Sequence, residues 1–304
     1  MCLFSDLRVE LILNLTENPY KLESDFRDSA FMKVSRNKHK IAVAIAGPLL
    51  TFIMALLAFA LPASLNGQVP ASQSQDLPIE TDGGGEFNFV RVAFDTFYSR
   101  GGFGFGPWSI DFPDADRNFL RGVSRLTNIR VMSEPIVLRF DDQKIFDYPF
   151  LYMLEVGQGG GIQLSPVEIQ NLREYLSRGG FLLIDDFWGQ QQWDNFYAAF
   201  SQVFPDREII ELSPDHEIFH VYYDIDGPTM IPALYRSDEF GEQGIDFASN
   251  HAILDDEGRV MVLINWNSDM GDGWEHTYHP DYPTRYANSA YRLGINYLMY
   301  SMTH

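Results

Sequence analysis

The sequence RGGFLLIDDFWGQQQWDNF, residues 178–196, holds the features that decide the fold. Gly179 and Gly180 end the segment before them, and the apolar run 181–184 predicts a buried strand. The strand stops at Asp185 and Asp186, and apolar spacing near 191–203 then predicts an amphipathic helix. A buried strand that leads into two carboxyl groups and a helix is typical of an α/β sheet with polar residues at its rim.

The segments on either side continue the alternation of helices and strands. Residues 165–168 (SPVE) have the pattern of a capping box with proline at the first helical position, which predicts a helix up to Arg178. Other strands are predicted at 87–94, 136–140, 148–156, 209–212 and 260–265, and other helices at 114–126 and 290–302. Residues 227–257 show no periodicity and are interpreted as an insertion or a long loop. Because the strands are apolar on both faces, we expect a mainly parallel sheet between helix layers.

Polar residues follow several of these strands. In open α/β sheets, ligands bind at the carboxyl ends of the strands, so this rim is the expected site. The candidate residues are Asp185, Asp186, His216, Asp269 and Glu275. An alternative remains open for the aspartate pair, in which one side chain caps the following helix and the other faces solvent.

Two motifs raise the possibility of a metal. His216-Glu-Ile-Phe-His220 matches the H-E-x-x-H pattern of zinc proteases, so Asp185, Asp186, His216 and His220 are candidate ligands. That motif needs a continuous helix, whereas residues 221–227 are strand-like, which favours a capped turn instead. Residues 265–275 place oxygen ligands at alternate positions like a calcium loop, but the glycine and the final glutamate are each out of register.

Two further segments carry weaker signals. The glycine-rich residues 157–161 could bind an anion, although they lack the spacing of a phosphate loop, and sharp turning is the simpler explanation. Asp111, Asp114 and Asp116 precede a predicted helix, whose dipole favours acids at its start. A binding role for these aspartates is open but has no signature.

The beginning of the chain indicates export. Residues 41–63 carry no charge and follow the basic segment 33–40, as in a signal peptide or a membrane anchor. We therefore expect a signal or anchor at 32–63, a flexible linker at 64–86 and an exported domain at 87–304. Residues 1–31 would be a non-native or disordered extension, since a start at Met32 places the basic residues first. The domain would lie in the periplasm, or be anchored to the inner membrane through 41–63 if that segment is not cleaved.

Charge and cysteine content exclude several functions. The chain has a formal net charge of −20, and residues 68–304 alone carry −21, which makes nucleic acid a poor partner. Cys2 is the only cysteine. The domain therefore has no disulfide, no cysteine zinc site and no cysteine nucleophile.

Several stretches together resemble a bacterial family known as domain of unknown function 4159. They are residues 108–119, 147–152, 164–180, 181–189, 215–220, 267–275 and 290–294. The resemblance implies a class I glutamine amidotransferase-like fold, a flavodoxin-like three-layer sandwich. It implies no activity, because amidotransferases of this class use a cysteine that the domain lacks.

Two hypotheses about function follow. The first is a non-catalytic binding or assembly module of the cell envelope, with an envelope protein as partner and no predicted cofactor. The alternative is a metal-dependent hydrolase that uses Asp185, Asp186 and His216, with Asp269 or Glu275, at the strand-end rim. The two differ in whether these side chains lie close enough to share one ion.

Overall fold

A computed structural model of the protein describes residues 87–98, 106–236 and 241–304. The predicted extension at 1–31, signal or anchor at 32–63 and linker at 64–86 lie outside the described residues. None of the described helices combines the length and the apolar character needed to span a bilayer.

Within the described ranges, seven strands form one sheet in the order β3-β1-β4-β6-β9-β8-β7. The first five of these strands are parallel to one another. At one edge of the sheet, β8 pairs antiparallel with β9, and β7 pairs antiparallel with β8. A small antiparallel pair, β2 with β5, lies outside this sheet. The strands are β1 (Val90–Val92), β2 (Asp95–Thr96), β3 (Ile136–Leu138), β4 (Phe150–Leu154), β5 (Ile162–Gln163), β6 (Phe181–Asp185), β7 (Ile210–Glu211), β8 (Ser249–Leu254) and β9 (Val260–Trp266).

The described helices form a layer on each face of the sheet. They are α1 (Asp114–Leu126), α2 (Pro166–Ser177), α3 (Gly189–Phe200), α4 (Met270–Glu275) and α5 (Thr284–Thr303). Alternate residues of the central strands separate into two cores: Phe181 and Leu183 pack with α1, α4 and α5, whereas Leu182 and Ile184 pack with α2 and α3. The predicted three-layer α/β sandwich with a mainly parallel sheet is therefore confirmed.

Local signals in the sequence are reproduced closely around α2. The Ser165 side chain accepts the Glu168 amide at 3.3 Å, and the Glu168 carboxylate accepts the Ser165 amide at 2.9 Å. Gly179 has a φ of 103°, a conformation that favours glycine after a helix. These contacts fix where β6 begins, and so where it delivers Asp185 and Asp186.

One prediction about the sheet is wrong. Residues 227–257 are not entirely irregular, because β8 lies among them and pairs antiparallel with β9 from Ser249–Trp266 to Leu254–Val260. The polar residues Ser249, Asn250 and His251 hid this strand. Asn250 is buried, and its side chain donates to that of Asn265 on β9 at 3.2 Å, so this polar residue has its partner inside the fold.

Candidate functional site: an acidic cavity at the strand ends

Three neighbouring parallel strands each deliver an acid at their carboxyl ends. Glu155 is the first residue after β4, Asp186 the first after β6, and Asp269 the third after β9. Asp111 reaches the same edge from the segment before α1. Because β4, β6 and β9 are adjacent in the sheet, these side chains converge on one cavity.

The backbone at this edge is held in an unfavourable conformation. Asp111, Glu155, Asp186 and Asn267 have φ values of 62°, 55°, 48° and 60°, in the left-handed region that favours glycine. Such residues cost about 1–3 kcal/mol each and cluster at functional sites. Three of the four are acids that line the cavity.

Asp185 and Asp186 are adjacent but do different things. Asp185 is fully buried, and its carboxylate accepts the backbone N–H groups of Met270 at 2.9 Å and Gly271 at 3.2 Å. It also accepts the Tyr152 hydroxyl at 2.8 Å and the Asn265 side-chain amide. Asp185 therefore fixes the start of α4 rather than pointing into the cavity.

Asp186, in contrast, lines the cavity and has few donors. Its Oδ1 accepts the Trp188 indole N–H at 2.8 Å. Its carboxylate lies within hydrogen-bonding reach of the Glu155 carboxyl group, so two acceptors face each other. The alternative, in which one aspartate caps the following helix and the other faces solvent, is therefore wrong. Both aspartates are buried, and Asp185 accepts the first amides of α4, which is distant in sequence.

Asp111, Asp186 and Asp269 form a cluster of carboxyl groups inside the cavity. Each offers one carboxylate oxygen, and the three oxygens lie within 4.8 Å of one another. Asp269 is the N-cap of α4, since its Oδ1 accepts the Asp272 amide at 2.7 Å. Asp111 Oδ2 is buried and has no hydrogen-bond donor among the described residues. We call these three residues the aspartate trio.

The position of Asp111 depends on residues that are distant in sequence. Arg91 on β1 donates to the carbonyl oxygens of Trp108 at 3.4 Å and Ile110 at 3.3 Å, which holds the segment just before Asp111. Arg91 is itself neutralised by Asp116, with 2.6 Å between Nη2 and Oδ1. The Asp111 carboxylate rests against the backbone of Gly271, where a Cβ atom would clash with it.

The cavity has a volume of about 390 Å³ and is dominated by acids. Six of the described lining residues carry a carboxyl group, one is a histidine, and none is lysine or arginine. The described residues that line it are Ile110, Asp111, Glu155, Gln158, Asp186, Ala233, Leu234, Tyr235, Glu242, Asp269, Asp272 and His276.

Burial and mutual repulsion change the protonation of these acids. Burial, and then the charges of Asp272 and Glu275, raise the pKa of Asp111 well above its usual range. Burial and then the charge of Glu155 raise the pKa of Asp186 well above its usual range. Burial and then the charge of Asp186 raise the pKa of Asp269 in the same way. Carboxyl groups this close hold either protons or a cation.

A second group of ligating side chains adjoins the trio. In it, His276 Nε2 lies 3.2 Å from Asp272 Oδ1 and 3.1 Å from Glu275 Oε2. Burial lowers the pKa of His276. The hydrogen bond and charge of Asp272, together with the charge of Glu275, outweigh burial, so the pKa of His276 is raised overall. Glu275 also lies within hydrogen-bonding reach of Asp111, so the two groups are continuous.

The two histidines of the H-E-x-x-H motif lie elsewhere. Glu217–Phe219 form a single 3-10 turn, and His216 caps it by accepting the Ile218 amide at 3.2 Å. The His216 ring lies 6.2 Å from that of Tyr300, whose hydroxyl accepts the amide of Val260 at the amino end of β9. His220 is exposed and bonds to Asp224 and to the Pro214 carbonyl oxygen. The structure therefore brings Asp186, Asp269 and Glu275 together, with Asp185 beside them, but not His216 or His220.

Sequence reasoning missed several members of the cavity. Glu155 stood at the end of an apolar run, and its neighbour Gln158 stood in a glycine-rich segment interpreted as a turn. Asp272 and His276 were hidden because 265–275 resembled an irregular calcium loop, whereas 270–275 is the helix α4. One available signal was that an acid follows β4, β6 and β9 within three residues of each strand's end.

The fold and the cavity together define a class: a three-layer α/β domain whose strand-end cavity is acidic and, among its described lining residues, has no basic group except His276. The family model described as Domain of unknown function (DUF4159) matches residues 92–302. The chain belongs to that family. No curated protein matches the chain.

Proposed function

We propose that this domain binds a divalent cation through Asp111, Asp186 and Asp269 and acts as a cation-dependent hydrolase. The observation that carries the proposal is the aspartate trio, in which three carboxylate oxygens lie within 4.8 Å of one another and Asp111 Oδ2 is buried with no donor in the described part of the chain. A ligand set made only of oxygen atoms suits hard cations such as Mg²⁺, Ca²⁺ or Mn²⁺ rather than Zn²⁺.

Hydrolysis is the reaction that this arrangement supports best. A bound cation would polarise a substrate oxygen and make a coordinated water more acidic. His276, held between Asp272 and Glu275, lines the same cavity and can accept or return a proton. None of the described lining residues is Ser, Thr or Cys, which favours water over a side-chain hydroxyl or thiol as nucleophile.

The proposal also includes a location and a partner. The uncharged residues 41–63 and the basic residues 33–40 support export, with the acidic domain on the outer side of the inner membrane. The role of a binding or assembly module with an envelope protein partner is the second candidate. It is supported by the absence of serine, threonine and cysteine from the described lining residues.

Metal titration of the full chain tests the proposal. We expect calorimetry to detect one Mg²⁺, Ca²⁺ or Mn²⁺ per chain, and Asp186→Asn and Asp269→Asn each to weaken binding at least tenfold. Asparagine keeps the Oδ1 acceptor that Trp188 and Asp272 use, so both variants should fold. Asp215→Asn, which changes an exposed acid that does not line the cavity, is the matched control and should bind like the wild type.

The same variants separate the two candidate functions. If the cation binds and a panel of ester, amide and glycoside substrates shows cation-dependent turnover that Asp269→Asn abolishes, the hydrolase is supported. Cation binding without turnover would favour the binding module. Absence of cation binding at neutral pH, with Asp269→Asn indistinguishable from Asp215→Asn, would refute the metal site.

A further inference from the structure

Glu155 is a buried acid that the aspartate trio does not use. It is 4% exposed and lines the cavity, and its Oε1 accepts the Gln158 side-chain amide. Its Oε2 is also buried and has no hydrogen-bond donor among the described residues. Leaving such an acceptor without a donor costs about 1–3 kcal/mol, so a ligand that brings a donor would remove that cost.

The charge balance of the cavity indicates which kind of donor. Six carboxyl groups line the cavity in the described residues, and one divalent cation would neutralise the charge of two. The nearest buried arginine, Arg91, is already paired with Asp116 at 2.6 Å and donates to backbone carbonyls. The excess negative charge therefore favours a positively charged ligand and disfavours phosphates and carboxylates.

Glu155 has two neighbours suited to hold such a group. Glu242 lines the same cavity as Glu155. Burial, and then the charge of Glu242, raise the pKa of Glu155. Glu242 in turn accepts the hydroxyl of Tyr235, whose ring is 71% exposed beside the cavity. Carboxylates and an aromatic face are the groups that bind ammonium ions in proteins.

We infer that Glu155, Glu242 and Tyr235 form a subsite for a primary ammonium group, so that the substrate of this cavity carries an amine. A lysine side chain or an amino sugar has the required chemistry. The role of the amine in a reaction rests on the proposed function, but its binding does not depend on the cation. The cavity volume of about 390 Å³ lies at the lower end of ordinary ligand sites, which fits one such group.

Three ligands of equal length test the inference. The full chain would be titrated with n-butylamine, 1-butanol and butyrate at neutral pH, once with Mg²⁺ and once with a chelator, and the dissociation constants obtained by ligand-observed NMR. We expect butylamine to bind at least tenfold more tightly than butanol and butyrate to show no binding, because only the ammonium group brings a positive charge to the carboxylates.

Two variants locate the subsite. Glu155→Gln and Glu242→Gln should each weaken butylamine binding at least tenfold while their melting temperatures stay at or above the wild-type value. Glu257→Gln makes the same chemical change at an exposed residue of the β8–β9 turn and should have no effect. Glu242 is half-exposed, so its variant keeps the test valid if Glu155→Gln fails to fold.

The failures of the two proposals are distinguishable. Equal binding of butylamine and butanol, or tighter binding of butyrate, would overturn the ammonium subsite whatever the cation does. Butylamine binding that survives in both glutamine variants would overturn it as well. Amine selectivity in the presence of chelator would support the subsite even if the titration with Mg²⁺, Ca²⁺ and Mn²⁺ shows no cation binding.

Discussion

Acidic side chains at the two ends of the β-sheet have opposite kinds of neighbours. In the turn before β9, at the amino end, Asp255 accepts Arg259 Nε at 2.9 Å and the Arg259 amide at 2.8 Å. The next residue, Asp256, pairs with Arg207 at 2.8 Å. At the carboxyl end, Asp186 and Asp269 instead have acids as their neighbours.

The pKa shifts reflect this difference. Burial opposes ionisation of Asp255, but the hydrogen bonds and charge of Arg259 outweigh it and lower the pKa. In the aspartate trio, burial and neighbouring acids act in the same direction and raise the pKa. An acid with several hydrogen-bond donors stabilises the fold, whereas a buried acid with few donors is a candidate for binding a ligand.

Asp185 is the instructive exception, because it lies at the carboxyl end but has donors like the acids of the amino end. Burial raises its pKa to about 6, while hydrogen bonds from Asn265 and Tyr152 act in the opposite direction. The acids of the cavity have far fewer donors. Position at a strand end therefore does not by itself identify a binding residue.

Asp185→Ala should have the largest effect on stability. It would leave the amides of Met270 and Gly271, the Tyr152 hydroxyl and the Asn265 amide without their acceptor. At about 1–3 kcal/mol for each buried group that finds no replacement, the loss should be at least about 3 kcal/mol. Denaturant unfolding measures it. Asp256→Ala, which removes an exposed pair at the other end, should cost at most about 1 kcal/mol. Equal losses in the two variants would contradict the contrast between the ends.

The pH dependence of stability comes next. Because the folded pKa of Asp185 lies near 6 and its unfolded value near 4, its contribution is present below about pH 4 and is lost as the pH rises through 6. The cavity acids, whose pKa values are also raised, add to this loss as the pH increases. Without divalent cations, the melting temperature should therefore fall by about 5 °C or more between pH 5 and pH 8, since each kcal/mol is worth roughly 2–4 °C in a domain of this size.

Adding a cation provides the control for this prediction. Mg²⁺ or Ca²⁺ should restore the melting temperature at pH 8 much more than at pH 5, because protons compete for the same oxygens. Asp269→Asn should flatten the pH profile and raise the cation-free melting temperature at pH 8. A profile that rises from pH 5 to pH 8 without cations would show that the paired acids of the amino end dominate instead.

A matched pair of glycines in α4 gives a smaller and more local effect. Gly271→Ala places a Cβ against the Asp111 carboxylate and should weaken cation binding about tenfold, or about 1.4 kcal/mol, with little loss of helix stability. Gly273→Ala instead meets the Ala290 Cβ at 2.6 Å and should lower stability through packing against α5 without moving Asp111. Calorimetric titration of both variants tests this, and equal weakening would mean that Asp111 is not displaced.

Local sequence signals predicted the parts of the fold that local interactions determine. The capping box of α2 and the apolar spacing of α1 gave these helices nearly their observed bounds, Pro166–Ser177 and Asp114–Leu126. Helix α4 could not be predicted, because its sequence MGDGWE is glycine-rich and its first amides are held by Asp185 from another strand. Strand β8 was hidden because it begins with polar residues, of which Asn250 meets its partner Asn265 only after the sheet has formed.

The residues of the candidate site also divide into those that could be predicted from the sequence and those that could not. Asp186 and Asp269 could be predicted because they follow strands, and strand ends share one edge in a parallel sheet. Asp111 could not, since its position depends on Arg91, which lies 19 residues before Ile110 in sequence. His216 and His220 matched a motif whose chemistry needs a helix, and the chain forms only a 3-10 turn there.

The smallest expected effect is that of His216→Ala, which is the most direct test of the contrast between the two ends. His216 lies near the amino end of β9, and the seven residues of β9 place about 20 Å between that end and the cavity. The variant should lose only a capping acceptor, worth about 1 kcal/mol, and should bind Mg²⁺ or Ca²⁺ like the wild type. Zinc gives the sharper comparison. If His216→Ala reduced zinc binding tenfold while Asp269→Asn did not, the metal site would belong to the histidine turn rather than to the strand ends. If only Asp269→Asn affects metal binding, the aspartate trio forms the site and the histidine motif has a structural role.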